Sequence, residues 1–216
     1  MEWIKIPKII KKIFSNYHWS YSPAGNSVYI SFDDGPIPEV TPWVLAQLEH
    51  YDAKATFFCI GDNVQKYPEV FKQIVTGGHS IGNHTHNHRN GWSTPVQEYV
   101  DNAQLCQETI NTALKGLESP NNTSLLFRPP YGKIKPKQSA LLRAKGYKII
   151  MWDVLSVDYK TSVSKEQCLE NVLKNIEPGS IIVFHDSLKA FPRLEYALPK
   201  TLAFLKENNY SCKAII

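Results

Sequence analysis

Two adjacent carboxylates, Asp33 and Asp34, close an apolar run in SFDDGP (31–36), just before a Gly-Pro turn. Neighbouring residues on a strand point to opposite sides, so the two acids need different partners. Taken alone, a simple Asp-Gly turn explains the pair equally well. GHSIGNHTHNH (78–88) is more specific. If the segment forms a helical turn, His84 and His88 share a face, a spacing that suits two imidazoles on one zinc ion. If it is extended, His84 and His86 are the competing pair. His79 reads as structural. Imidazole beside carboxylate points to zinc as cofactor, with other first-row divalent metals as alternatives. Arg128, in FRPPYG (127–132), stands between an apolar run and a rigid Pro-Pro turn, where a guanidinium can hold a carboxylate through two parallel hydrogen bonds. SIIVFHD (180–186) ends a buried run in His185, which is either a catalytic group or a satisfied core histidine.

These residues are scattered along the chain, so the elements between them must bring them together. Runs rich in β-formers at 27–32, 55–60, 79–83, 124–128, 147–152 and 180–184, with SCKAII at the end, supply seven strands. Helical stretches begin at Thr41-Pro42 and cover 62–76, 95–116, 136–145, 165–176 and 195–208, the second ending at Gly77-Gly78. This alternation predicts an α/β fold with a parallel sheet and right-handed crossovers. An open doubly wound sheet and a barrel both satisfy the order, and the polar residues favour the barrel. Asp33 and Asp34, His84 and His88, Arg128, and His185 follow four different strands. They converge only at the carboxyl rim of a closed or nearly closed barrel. Seven strands in place of eight predict a TIM-like (β/α) barrel that is distorted and incompletely closed.

The 216 residues, 43% hydrophobic and 20% charged, are enough for one core. No run approaches the roughly 18 apolar residues of a membrane-spanning helix, and no signal peptide is visible. The net charge of +4 is local, with Lys5, Lys8, Lys11 and Lys12 gathered among Trp3, Ile4, Ile6, Ile9, Ile10, Ile13 and Phe14. Residues 1–25 therefore form a basic amphipathic segment ahead of a domain at 26–216. A helix from Pro7 would put lysines on one side and most apolar residues on the other. It either docks on the domain or makes a peripheral membrane contact through residues 3–14. Nucleic acid is not an expected partner, because no basic, aromatic-interleaved stripe follows. Cys59, Cys106, Cys168 and Cys212 form no Cys-x-x-Cys pair, which argues against a thiolate metal site and favours a reducing compartment. A cytoplasmic or membrane-peripheral location is the expectation.

SFDDGP, HTHNH, RPPYG and VFHD occur in the order of the first, second, third and fifth motifs of the polysaccharide deacetylase (NodB-homology) family, carbohydrate esterase family four, which residues 26–216 resemble. The family's distorted seven-stranded barrel agrees with the strand count. The resemblance implies that Asp34, His84 and His88 bind the metal, with His86 left out, and that Asp33 is the general base, oriented by Arg128. It further implies that the Tyr131 backbone N–H helps hold the oxyanion and that His185 is the general acid. Trp152 and Val183, with Phe184, would border the acetyl methyl, and Trp92 is either a sugar platform or a packing residue. The fourth motif departs from the pattern. In MWDVLSVDY (151–159), Leu155 stands where many members have the aspartate that tunes the catalytic histidine, which predicts a lower pKa for His185. The expected activity is metal-dependent removal of acetyl groups from an N-acetylglucosamine-containing polymer or oligosaccharide. The alternatives are an O-acetyl esterase on xylan or another acylated glycan, and a metal-holding barrel that only binds sugar.

Overall fold

The structure, a computed structural model, describes residues 3–23, 25–117 and 124–216. Residues 1, 2 and 24 of the N-terminal segment lie outside the described residues. Seven parallel strands form one sheet: β1 (Ser27–Asp33), β2 (Ala55–Cys59), β3 (Ser80–Asn83), β4 (Leu126–Phe127), β5 (Lys148–Ile149), β6 (Val154–Leu155) and β7 (Ile181–His185). Their order, β5-β4-β3-β2-β1-β7-β6, curls into an open half-barrel with helices outside. The period of two decides what each face does. Val28, Ile30 and Phe32 of β1, with Ala55, Phe57 and Cys59 of β2, pack outward into the main core. Ser31 and Asp33 project to the other face, the one that Phe58, Ile181 and Val183 line from neighbouring strands.

The six helices that the sequence expects are present on the outer face as seven, one being broken in two, with revised bounds. They are α2 (Thr41–His50), a broken α3 (Gly61–Lys66) and α4 (Pro68–Thr76), α5 (Val96–Ala113), α6 (Pro136–Ala144), α7 (Lys165–Leu173) and α8 (Phe191–Glu207). The single helix expected over 62–76 breaks because Tyr67 precedes Pro68, whose ring pushes it out of the helical region to φ −126°. Helix α8 starts four residues before the expected 195, with Pro192 in its first turn.

Two strand expectations need correction. The run 147–152 supplies only the two residues of β5, and a separate strand, β6, follows at Val154–Leu155. SCKAII supplies only β8 (Ser211–Cys212), which pairs with the start of β1 away from the main path. The first correction has its physical origin in the N-terminal segment. Between β5 and β6, the two ends of the sheet, the backbone bonds to the N-terminal segment. Lys5 bridges Val154, and His18 bridges Ile150. The Ile6 N–H donates to the Asp153 carbonyl at 3.0 Å, and the Met151 N–H donates to the His18 carbonyl at 2.8 Å.

This segment is thus a strap across the open side of the barrel. Ile6 and Trp19 are buried with Phe127, Ile149 and Met151. The short helix α1 (Lys8–Ile13) lies between the two bridges, but its faces do not divide as expected. Lys5 and Lys11 turn inward and both pair with Asp153, a fully buried carboxylate that also accepts from Ser180 Oγ at 2.6 Å. Ile9 and Ile13 face solvent instead.

Candidate functional site

Asp33 ends β1 on the concave face, level with His185 of β7 in the parallel register. Its carboxylate meets Arg128 Nη1 at 2.7 Å, and the same nitrogen reaches Ser31 Oγ at 2.7 Å. The guanidinium has no exposed surface, which a charged group tolerates only when its N–H groups are paired. Nε donates to the Ile150 carbonyl at 3.2 Å and Nη2 to the Met151 carbonyl at 3.0 Å, while the group lies 4.0 Å over the Phe58 ring. The carbonyls of 150 and 151 belong to the gap that the strap crosses, so the N-terminal segment helps set where Arg128, and through it Asp33, can sit.

Asp34 points elsewhere, as adjacent strand-end residues must. Its backbone takes φ 88° at the start of the turn. Asn63 of α3 donates to the Asp34 carbonyl at 2.7 Å, and the Gly35 N–H donates to Asp186 Oδ1 at 2.9 Å. Only glycine fits at 35, since a Cβ there would lie 1.9 Å from Asp186 Oδ2. Thr41 is the first residue of α2 and does not cap it. Its hydroxyl donates to Asp186 Oδ2 at 2.6 Å, so one buried carboxylate clasps both ends of the turn.

The two histidines arrive by a bend in place of a helical turn. Thr85 and His88 take positive φ (61° and 53°), Asn83 Oδ1 accepts the Thr85 N–H, and Asn102 Oδ1 of α5 accepts the N–H groups of His86 and Asn87. His88 Nε2 comes within 3.3 Å of Asp34 Oδ1, and His84 Nε2 within 3.9 Å. His84 Nδ1 lies 2.8 Å from the Arg128 carbonyl, which can only accept, so that nitrogen carries the proton and Nε2 keeps its lone pair. Burial pushes the His84 pKa down to about 4, against the opposing pull of Asp33, and keeps the ring neutral. Burial would raise Asp34, but His88, His185 and His84 outweigh it and hold the carboxyl below the usual range. Asp34 Oδ1 is buried without a hydrogen-bond partner, and the three ligand atoms lie within 4.8 Å of one another. Converging acceptors with an orphaned carboxylate oxygen fit a divalent cation.

His86 is not in this group. Its ring packs on Gly61, where a Cβ would meet Nδ1 at 2.5 Å. His79 accepts the Ala55 N–H and edges against Phe57, a packing role.

His185 overturns the expectation drawn from Leu155. Its Nδ1 is 2.7 Å from Oδ1 of Asp158, which is fully buried and whose other oxygen accepts the His185 N–H at 2.7 Å. Burial would lower the imidazole pKa, but Asp158 dominates, with Asp34 and Asp33 adding to it, and the net effect is a rise to about 9. Leu155 simply packs with Val157 and Val183. The negative partner comes three residues later because Val157 takes φ 62° and turns the chain back toward β7. The spacing along a strand gave no sign of that turn.

Tyr131 sits at φ 59° just past the Pro-Pro turn, its ring 4.6 Å from that of His88. Trp152 is half-buried over Gly132 and meets Val183 in the same apolar cluster. Phe184 is corrected. It faces the helix layer, 6.2 Å from Phe32, and so lies on the opposite side of β7 from Val183. Trp92 is 63% exposed and therefore not a core residue. The ammonium of Lys133 lies 5.3 Å from the Trp92 ring centre and 6.0 Å from that of Tyr131. Gln138 and Lys135 hold the Trp92 loop through the carbonyls of Gly91 and Thr94. Ser31 and Asp186 are site-supporting residues that motif reading did not single out, although Ser31, two residues before Asp33, lies on the same strand face. Asp158 lies in the fourth-motif segment MWDVLSVDY, where it matches the family pattern, but the sequence does not show its contact with His185.

The half-barrel thus gathers on its rim two acids, two histidines on a bend and a third histidine held by a carboxylate. Residues 20–150 match the polysaccharide deacetylase family. The chain belongs to that family, carbohydrate esterase family four. It is 38% identical over 173 residues to a peptidoglycan-N-acetylglucosamine deacetylase of Bacillus cereus, covering 79% of this chain and 60% of that protein's length. It is 36% identical to a chitooligosaccharide deacetylase of Azorhizobium caulinodans, covering 74% of each. The crystal structure of the Bc1960 peptidoglycan N-acetylglucosamine deacetylase superposes with a TM-score of 0.85 at 31% identity, covering 97% of this chain and 95% of that one.

Proposed function

We propose that this protein is a metal-dependent hydrolase that removes acetyl groups from N-acetylglucosamine-containing polysaccharide, of the peptidoglycan or chitin-like kind. The observation that carries the reading is the convergence on one rim of the Asp34, His84 and His88 acceptors, the Arg128-held Asp33 and the Asp158-held His185. Relatives named for deacetylation of peptidoglycan and chitooligosaccharides support the substrate class.

Asp34, His84 and His88 would hold the metal, zinc in our reading of the donor set. When bound, the metal supplies Lewis acidity that polarises an acyl oxygen and acidifies water. The other steps belong to side chains of this chain. Asp33 takes up a proton as water attacks the acetyl carbonyl, and Arg128 fixes which oxygen is free to do so. The Tyr131 backbone N–H donates to the developing oxyanion. The acetyl methyl rests against Trp152, with Val183 beneath it. His185, whose Nδ1 is bound to Asp158, gives its proton to the departing nitrogen. An amine leaves poorly unless protonated, so a histidine kept charged past neutrality favours the N-acetyl substrate over an ester. Trp92 and Tyr131 offer exposed aromatic faces for neighbouring sugar units.

The test is acetate release from N-acetylglucosamine oligomers and from acetylated xylan with zinc present. Faster release from the oligomers supports the amide reading. Release from xylan alone replaces it with the esterase. Binding of oligomers without release from either substrate, by a zinc-loaded protein, replaces it with a barrel that only binds sugar.

A further inference from the structure

The strap carries apolar surface that the fold does not use. Of the nine large hydrophobic residues exposed among the described residues, four lie within residues 3–14: Trp3, Ile9, Ile13 and Phe14. Exposed apolar residues scattered singly are ordinary, but a concentration in a dozen residues marks a contact surface. Ile9 and Ile13 are one turn apart on α1 and share a face. Lys8 and Lys12, each one position earlier, run alongside. Both are exposed, and neither pairs with a carboxylate among the described residues. The other two lysines, Lys5 and Lys11, are committed to Asp153 and fix the strap to the barrel. No acidic residue occurs from Trp3 to Pro23.

The surface is therefore apolar, cationic and held in place by partly buried ion pairs and backbone bridges. A second copy is a poor occupant, because a two-fold contact through this face would bring Lys8 and Lys12 of both chains together. A lipid surface bearing negative headgroups matches both properties. Apolar side chains sink to the boundary of headgroups and acyl chains while the lysines stay among the anionic groups. We propose that residues 3–14 dock this protein reversibly on an anionic lipid surface, with Ile9 and Ile13 inserting and Lys8 and Lys12 supplying the charge attraction.

The test is co-sedimentation of the full chain with phosphatidylcholine vesicles, with and without phosphatidylglycerol. The expected result is binding to the phosphatidylglycerol vesicles at least about tenfold stronger than to phosphatidylcholine alone, and weakened by salt as charge attraction is screened. Ile9→Ser with Ile13→Ser should abolish it, and Lys8→Gln with Lys12→Gln should weaken it several-fold. Both variants should keep the wild-type circular dichroism spectrum, since these four side chains are exposed. Equal partitioning onto both vesicles, no partitioning onto either, or binding unchanged in both variants overturns the proposal. So does a concentration-dependent dimer that both variants abolish, seen without vesicle binding.

Discussion

His185 shows how a neighbour chooses the protonation state that a buried group keeps. Asp158 raises the His185 pKa to about 9, against the downward effect of burial. A general acid works only while protonated, so activity should persist through neutrality and fall as pH rises through that value. Asp158→Asn removes the largest upward pull and leaves burial opposed only by Asp34 and Asp33. The alkaline limb of kcat/KM should then move toward acid by about one to two pH units. A pH–rate profile reads this, and an unmoved limb would show that His185 is not the acid or that Asp158 does not set it. Arg128→Met leaves Asp33 buried without its cation, which typically costs about 3–5 kcal/mol. Urea unfolding monitored by fluorescence should show that loss, and a cost below about 1 kcal/mol would mean that Asp33 finds another partner.

At the scale of elements, the turns after the strands do most of the positioning, and they are the part least legible in the sequence. Apolar runs and Pro/Gly punctuation located the strands and most helices, because burial and backbone restriction are written in residue type. The residues of SFDDGP, HTHNH and VFHD, read at strand ends in the sequence, come together on one rim. What could not be read was backbone turned into positive φ at ordinary residues, namely Asp34, Thr85, His88, Tyr131 and Val157. None is glycine, and tertiary bonds such as Asn102 to the His86 and Asn87 amides hold the bend on which two of them lie. That is why His84–His88 is a bend, neither the helical turn nor the extended segment that the spacing allowed, and why Asp158, rather than position 155, reaches His185. The Asp186 clasp gives a prediction at this scale. Thr41→Val deletes one of its two turn-holding bonds, and leaving a buried acceptor short of a donor typically costs about 1–3 kcal/mol. Thermal unfolding should show a matching fall in stability, and an unchanged midpoint would show that the Gly35 amide alone suffices.

For the whole molecule, seven strands curl without closing, and the N-terminal strap spans the gap. Its sequence reads as a basic amphipathic helix that docks on the domain or on a membrane, because the lysines are interspersed with isoleucines without a strand pattern. The inward turn of Lys5 and Lys11 depends on Asp153, some 140 residues away in the chain. Lys11→Met should leave Asp153 with one cation fewer and lower stability by about 1–2 kcal/mol, less than for a fully buried pair because Lys11 is partly exposed. It should also raise hydrogen exchange at the Met151 and Ile6 amides, and unchanged exchange there would mean that the strap holds without it. In the proposed reaction, hydrolysis requires the Asp34, His84 and His88 cluster to be a metal centre. The most direct test is to titrate zinc into chelator-stripped protein while following acetate release from N-acetylglucosamine oligomers, with calorimetry on the same samples. The account predicts that release rises with zinc and saturates at one equivalent per chain, and that His88→Ala loses both the binding heat and the activity. Undiminished release from the stripped protein, or full activity in His88→Ala, would contradict it.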